Sequence, residues 1–207
     1  MVKNLIFIGY PGSGKGTVAK LLPQYNQIST GDLLRKEIVS GSELGKEIAS
    51  IINGCNLVND QMALSLIKAN TESSKNYLFD GFPRTLKQAE MLDSLVGDSF
   101  LAVVFDIEKS VLEDRIVYRR SCSDCGAIYN LKMKAPTKED TCDACGNKGL
   151  TNRVDDTKEV LQKRFRVYEK EADLIIDFYK SKNKLIVLNA QQSSDKLVKM
   201  INDEILK

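Results

Sequence analysis

The residues Gly9-Tyr10-Pro11-Gly12-Ser13-Gly14-Lys15-Gly16-Thr17 follow directly on the apolar run Leu5-Ile6-Phe7-Ile8. A short strand running into a glycine-rich turn that ends in Lys and a hydroxyl residue is a cradle for phosphate. Successive backbone N–H groups turn inward, and the next helix adds its positive N-terminal end. In that reading Gly12, Ser13, Gly14 and Gly16 form the cradle, Lys15 places a point charge between phosphates, and Thr17 offers an oxygen to Mg²⁺. The general pattern has Ser or Thr immediately after the Lys; here Gly16 intervenes. A glycine-rich turn with an ordinary surface lysine would account for the glycines, but not for their spacing or for the strand before and the helix after them.

The rest of the composition narrows the chemistry. The chain has no histidine, which excludes Ser-His-Asp and Cys-His mechanisms and removes the usual acid–base group near neutral pH. Phosphoryl transfer suits such a chain, because it depends mostly on positioning and charge stabilisation. Arginines recur beside turn or motif residues: Arg35, Arg84, Arg115, Arg119, Arg120, Arg153 and Arg164. Each alone reads as a solvated surface charge. Together with a phosphate loop they indicate a site crowded with anionic oxygens, since the planar guanidinium grips phosphate with two hydrogen bonds.

Cys122-x-x-Cys125 and Cys142-x-x-Cys145, with residues 126–141 between them, fit a tetrahedral Zn²⁺ site. Four thiolates leave no open position, so such a metal is structural. The alternatives are disulfides, which a reducing cytosol disfavours, or free thiols. Cys55 is left over and reads as a small apolar filler. A ribbon of this kind can also bind nucleic acid. The stretch between the hooks mixes Lys132, Lys134 and Lys138 with Glu139 and Asp140 and has Tyr129 as its only aromatic, which is not a nucleic-acid stripe.

These groups need a scaffold. Apolar runs at 4–9, 27–29, 77–80, 101–107 and 184–189 are continuous rather than alternating, as in strands buried on both faces of a parallel sheet. Helical patterns fill 14–22, 31–40, 43–53, 60–69, 85–95, 109–120, 157–181 and 193–206. The alternation predicts an α/β, doubly wound, parallel five-stranded sheet. Residues 30–59 and 121–154 break the rhythm and read as insertions. The 157–181 helix is expected to start at Asp156 as N-cap with Glu159 completing a capping box. Its face of Val160, Phe165, Tyr168, Ala172, Ile175 and Ile176 is expected in the core. Arg115 and Arg119, four apart, are expected on one helix face. A length of 207 residues with 43% hydrophobic content supports one large domain with insertions. The near balance of 30 basic and 28 acidic residues argues against a nucleic-acid or membrane-surface partner. With no apolar stretch long enough to span a bilayer and no export signal, the expected compartment is the cytoplasm.

The whole chain resembles the bacterial adenylate kinases that carry a long, zinc-bearing lid. The resemblance rests on Gly9–Thr17 with its Gly-Lys-Gly-Thr ending, on Ser29-Thr30-Gly31-Asp32-Leu33-Leu34-Arg35, and on Asp80-Gly81-Phe82-Pro83-Arg84-Thr85 with Gln88. It rests also on Arg115 to Arg120 leading into the cysteine box and on Arg153-Val154-Asp155-Asp156 with Arg164. The family pattern implies a P-loop core (1–29, 60–120 and 158–207), a nucleoside-monophosphate domain (30–59) and a zinc-stabilised lid (121–157). It implies transfer from ATP to AMP giving two ADP, with Mg²⁺, by a monomer. By the same resemblance Thr30, Gly31, Arg35, Val58, Gly81, Arg84, Gln88, Arg153 and Arg164 bind AMP, with Gln88 at the adenine edge, and Arg119 joins the glycine-rich turn in binding ATP. Asp80 holds Mg²⁺ with Thr17 or through water, and Lys15, Arg84, Arg119, Arg153 and Arg164 surround the phosphoryl group in transfer. Asp155 and Asp156 orient those arginines or lock the lid, and the loop ending in Gln192 contacts the donor adenine. Three positions depart from the family pattern: Tyr118 for a common Gly, Lys87 for a common Pro, and Asn59 for Pro or Thr. Gln88 points to adenine rather than to a pyrimidine acceptor. Kinases of UMP/CMP, GTP-using kinases, and a non-catalytic nucleotide switch remain as alternatives.

Overall fold

The computed structural model of the chain describes residues 3–54, 56–153 and 156–206. Cys55 and Asp155, both singled out above, lie outside the described residues. The strands and helices run β1 (Asn4–Gly9), α1 (Lys15–Lys20), β2 (Asn26–Ser29), α2 (Thr30–Ser40), α3 (Glu43–Asn53), α4 (Asp60–Ala69), β3 (Tyr77–Asp80) and α5 (Leu86–Val96). They continue with β4 (Phe100–Asp106), α6 (Lys109–Val117), β5 (Arg119–Cys122), β6 (Ile128–Asn130), β7 (Leu150–Thr151), α7 (Lys158–Ser181), β8 (Leu185–Asn189) and α8 (Ser194–Ile205).

Five strands form one parallel sheet in the order β2-β3-β1-β4-β8. Side chains alternate across it. Leu5, Phe7, Leu78, Val103 and Phe105 enter one core with Val18, Leu112, Ile116, Phe165 and Ile201. Ile6, Ile8, Phe79, Ala102 and Val104 enter the other with Leu34, Ile48, Leu64, Leu92, Ile175 and Tyr179. The long α7 contributes to both faces, Leu161 and Phe165 to one and Ile175 and Tyr179 to the other. This is the doubly wound α/β fold that the apolar runs predict.

Short polar side chains set the helix starts. Ser29, Ser42, Asn59, Thr85 and Ser193 each accept a hydrogen bond from the backbone N–H three residues on. Asn59, a departure from the family pattern, is thus a strong cap for α4. The start of α7 corrects an expectation: its N-cap is Thr157, whose hydroxyl accepts from the Val160 N–H, and not Asp156. Val160, Tyr168 and Ile176 on that helix are only partly buried, Val160 bordering the cavity rather than the core, whereas Leu161 and Tyr179 reach the core.

The second correction concerns residues 118–122, expected to be helical to 120. Helix α6 stops at Val117, and Arg119–Cys122 becomes the central strand of a separate three-stranded antiparallel sheet, β6-β5-β7. The Asn130 amide meets the helix end: it donates to the Asp114 and Arg115 carbonyls at 3.1 and 3.2 Å, and the Arg115 carbonyl is the acceptor that a helical Arg119 N–H would have used. Arg115 and Arg119 therefore do not share a helix face. No helix among the described residues is long and apolar enough to cross a membrane.

Candidate active site

The turn after β1 closes by a hydrogen bond from the Ser13 N–H to the Tyr10 carbonyl, 3.1 Å, and Ser13 is buried. Gly12 has φ +83, and a Cβ there would stand 2.8 Å from the Ile116 side chain, so only glycine fits. The Lys15 ammonium folds over the turn and donates to the Gly9 and Tyr10 carbonyls, both at 2.8 Å, and to Ser13 Oγ at 3.2 Å. Burial pulls its pKa down to about 8; Asp80 opposes the fall, and the guanidiniums of Arg84, Arg164 and Arg119 add to it. Asp80 ends β3 directly beside this turn. Burial raises its pKa, against the pull of Lys15 and Arg84. A Cβ on Gly16 would lie 3.3 Å from Asp80 Oδ2, so the glycine that intervenes between Lys15 and Thr17 lets this carboxylate approach the loop.

The motifs after β2 and β3 face the turn. Arg35 pairs with Asp32 at 2.5 Å and flanks Gly31, where a Cβ would lie 3.2 Å from its guanidinium. The Arg35 contact outweighs burial and keeps Asp32 below the usual carboxylate range. Arg84 Nε donates to the Gly81 carbonyl at 2.8 Å. Gln88 is buried under this loop, and its Oε1 accepts from the Arg84 N–H at 2.8 Å. Thr30 is buried, and its hydroxyl has no hydrogen-bond partner among the described residues.

Arg119 and Asp156 form a two-pronged ion pair, with Arg119 Nε to Asp156 Oδ2 at 2.7 Å and a second contact from Nη2 to Oδ1. The Asp156 carboxylate is 1% exposed. It owes that position to being one residue ahead of the helix cap rather than at it. Arg153 stands beside this pair: burial and the like charges of Arg119 and Arg35 lower its pKa, with Asp32 and Asp156 opposing. Partly buried guanidiniums that crowd one another favour an anion.

One cavity of about 1280 Å³ is lined by Gly12, Ser13, Gly14, Lys15, Gly16, Thr17, Thr30, Gly31, Arg35, Val58, Asp80, Gly81, Arg84, Gln88, Arg119, Arg153, Arg164 and Gln192. That volume exceeds the roughly 300–1,000 Å³ of a single-ligand cleft. Gln192, in the loop after β8, has a buried Oε1 with no partner among the described residues. Asp156 is not in the lining and acts through Arg119. Tyr118 is not in the lining either. Its ring lies under the Lys132 ammonium, 5.6 Å from the centroid, and it caps the end of α6.

Three features of the site were not assigned from the sequence. Arg115 donates to the Ser13 carbonyl at 3.2 Å and to the Ala190 carbonyl at 3.0 Å, tying the glycine-rich turn to the loop after β8. Tyr10 stacks on Phe165 and Tyr168 and donates to Glu169 at 3.0 Å. Asp60, the first residue of α4, accepts from Gln88 Nε2 at 2.8 Å. No local spacing signals Asp60, because its partner is distant in sequence; Arg115 is among the arginines the sequence singles out, but its carbonyl partners are equally distant and not readable there. Asp32 could have been found from its i, i+3 spacing to Arg35.

The four cysteines converge as their spacing predicts. Their sulfurs all lie within 4.8 Å of one another, with Cys122–Cys145 at 3.6 Å and Cys125–Cys142 at 3.5 Å. These are far longer than a disulfide and close to the ~3.8 Å edge of a tetrahedron with Zn–S bonds of about 2.3 Å. The Tyr129 hydroxyl, 3.4 Å from Cys142 Sγ, draws that thiol down to about 6. Cys145 is driven up to about 12: although the Asn147 N–H favours its thiolate, Cys125, burial, Cys122 and Cys142 outweigh it. Four crowded thiols without a counter-charge cannot all ionise, so the donor set fits a divalent, thiophilic cation.

The family model described as adenylate kinase matches residues 7–184 of the chain. The chain is 40% identical over 203 residues to the adenylate kinase of Petrotoga mobilis, covering 95% of this chain and 94% of that one. It is 39% identical over 210 residues to the adenylate kinase of Clostridium tetani, covering 97% of each. It is also 40% identical over 191 residues to that of Archaeoglobus fulgidus, covering 86% of this chain and 87% of the relative.

Proposed function

This chain belongs to the adenylate kinase family, and from that premise we propose how its one cavity divides between two nucleotides. The activity is that of a nucleoside monophosphate kinase: reversible transfer of the terminal phosphoryl of ATP to AMP, giving two ADP. ATP takes the glycine-rich turn, with Gly12 to Thr17 around its phosphates and the Gln192 loop at its base. AMP takes the side lined by Thr30, Gly31, Arg35, Val58, Gly81, Arg84 and Gln88, with Arg35 and Arg84 on its phosphate. Lys15, Arg84, Arg119, Arg153 and Arg164 then surround the phosphoryl group between the two. Charge spreads over its oxygens in the transition state, and preset cations stabilise that charge at no reorganisation cost.

The observation that carries this reading is the continuity of the cavity from Lys15 through the arginines to Gln88. A switch needs one nucleotide site; this cavity supplies both ends and a cationic middle. Thr17 and Asp80 would hold Mg²⁺ or its waters, and the ion would neutralise phosphate charge. Asp156 fixes the Arg119 guanidinium. The unit bearing Cys122, Cys125, Cys142 and Cys145 serves as a lid that excludes water, which would otherwise compete as acceptor, and Zn²⁺ at those cysteines holds it folded. The enzyme acts as a monomer in the cytoplasm.

Titration with a bisubstrate analogue, two adenosines joined by five phosphates, tests the shared cavity. The expected result is one analogue per chain, displacing both ATP and AMP. Binding that displaces ATP while AMP still binds at saturation would overturn it.

A further inference from the structure

The Gln88 amide is held at both ends. Its Oε1 accepts from the Arg84 backbone N–H at 2.8 Å, and its Nε2 donates to Asp60 Oδ1 at 2.8 Å. A backbone N–H can only donate and a carboxylate can only accept, so these partners allow one orientation of the amide. Turned over, it would set Nε2 against an N–H and Oε1 against a carboxylate. Thr85 completes the lock: its hydroxyl accepts from the Gln88 N–H at 3.1 Å and donates to Asp60 Oδ1 at 3.3 Å. Gln88 is 2% exposed, and the face that remains borders the cavity.

A primary amide has two donor hydrogens and two acceptor lone pairs. The lock consumes one of each and leaves one donor and one acceptor side by side. That pair fits a base edge with an amino group next to a ring-nitrogen acceptor, as in adenine. It does not fit an edge with a carbonyl next to a ring N–H, as in a 6-oxopurine. A free glutamine could serve either base by turning its amide over.

We propose that Asp60 is a positioning residue that sets acceptor-base selectivity by fixing the orientation of the Gln88 amide. This deepens, and rests on, the reading of Gln88 as the residue facing the acceptor base. The plainer role for Asp60 is that of an acid in the first turn of α4, favourable to the helix dipole; that role affects stability and leaves base choice alone.

AMP and IMP differ only at the 1,6 edge of the base, so the ratio of their kcat/KM values with Mg-ATP reads the lock. The variants are Asp60→Asn, whose side-chain amide can donate or accept, and Gln88→Leu. Asp60→Asn is expected to narrow the AMP:IMP ratio about tenfold or more, with the IMP KM falling, because one of the two contacts enforcing the orientation is gone. Should Asp60→Asn not fold by its melting curve, Asp60→Ser, too short to reach Gln88, takes its place with the same expectation. A ratio unchanged in the folded Asp60 variant but narrowed in Gln88→Leu would overturn the role of Asp60 alone. A ratio unchanged in Gln88→Leu would overturn the reading of Gln88 and the proposal with it.

Discussion

At the scale of single residues, the site is a cluster of partly buried cations, a setting that favours anions. The clearest consequence is at Lys15, whose pKa lies at about 8 because burial and three guanidiniums outweigh Asp80. A polyphosphate beside it adds negative charge and raises that pKa. At pH values near and above 8 the bound state therefore carries more protons than the free one, binding takes up protons, and affinity falls as pH rises. Calorimetry of inorganic tripolyphosphate at pH 8.5, in two buffers of different ionisation enthalpy, should record net proton uptake; none would contradict the placement of Lys15 beside the phosphates. Much of this was legible in sequence. Lys15, Thr17, Asp80 and six of the arginines line the cavity they were expected to share; Arg120 does not, and donates instead to the Arg119 carbonyl. Asp60 was not legible, because its partner Gln88 is brought to it only by the packing of α4 against α5. For Asp156 the two readings diverged: the resemblance made it an orienter of the arginines, and it does hold Arg119, whereas the local spacing made it a helix cap, which Thr157 is instead.

At the scale of elements, the apolar runs gave the strands of the large sheet to within a residue, since strands buried on both faces need continuous hydrophobicity. The small sheet escaped because β5, Arg119-Arg120-Ser121-Cys122, is polar and pairs with strands of three and two residues. Its order comes from the cysteines and from Tyr129, not from a hydrophobic face. Tyr118 sits at the junction where α6 gives way to β5 of the small sheet. Its ring is held by Lys132, which also pairs with Asp114 at 2.6 Å. Tyr118→Gly frees this junction, so the turnover number should change more than the affinity for AMP. Steady-state kinetics with an independent AMP titration separates the two; equal changes in both, or none, would count against a hinge at this point.

At the scale of the whole molecule, the chain combines a large core that folds on hydrophobic burial with a small sheet that has little core of its own. Such a unit needs a staple, and metal binding contributes directly to its folding. Verified removal of zinc should lower the melting temperature by several degrees while the far-ultraviolet dichroism of the main fold persists; a melting curve that does not move would contradict the staple. The central claim is that one cavity brings ATP and AMP together for direct transfer. The measurement that bears on it most directly is ADP formation from Mg-ATP offered AMP, UMP, CMP or GMP, each against a control without acceptor. Two ADP formed per AMP consumed, with AMP far ahead of the other acceptors, is the predicted result; preference for a pyrimidine, or no transfer from folded, zinc-loaded protein, would contradict it.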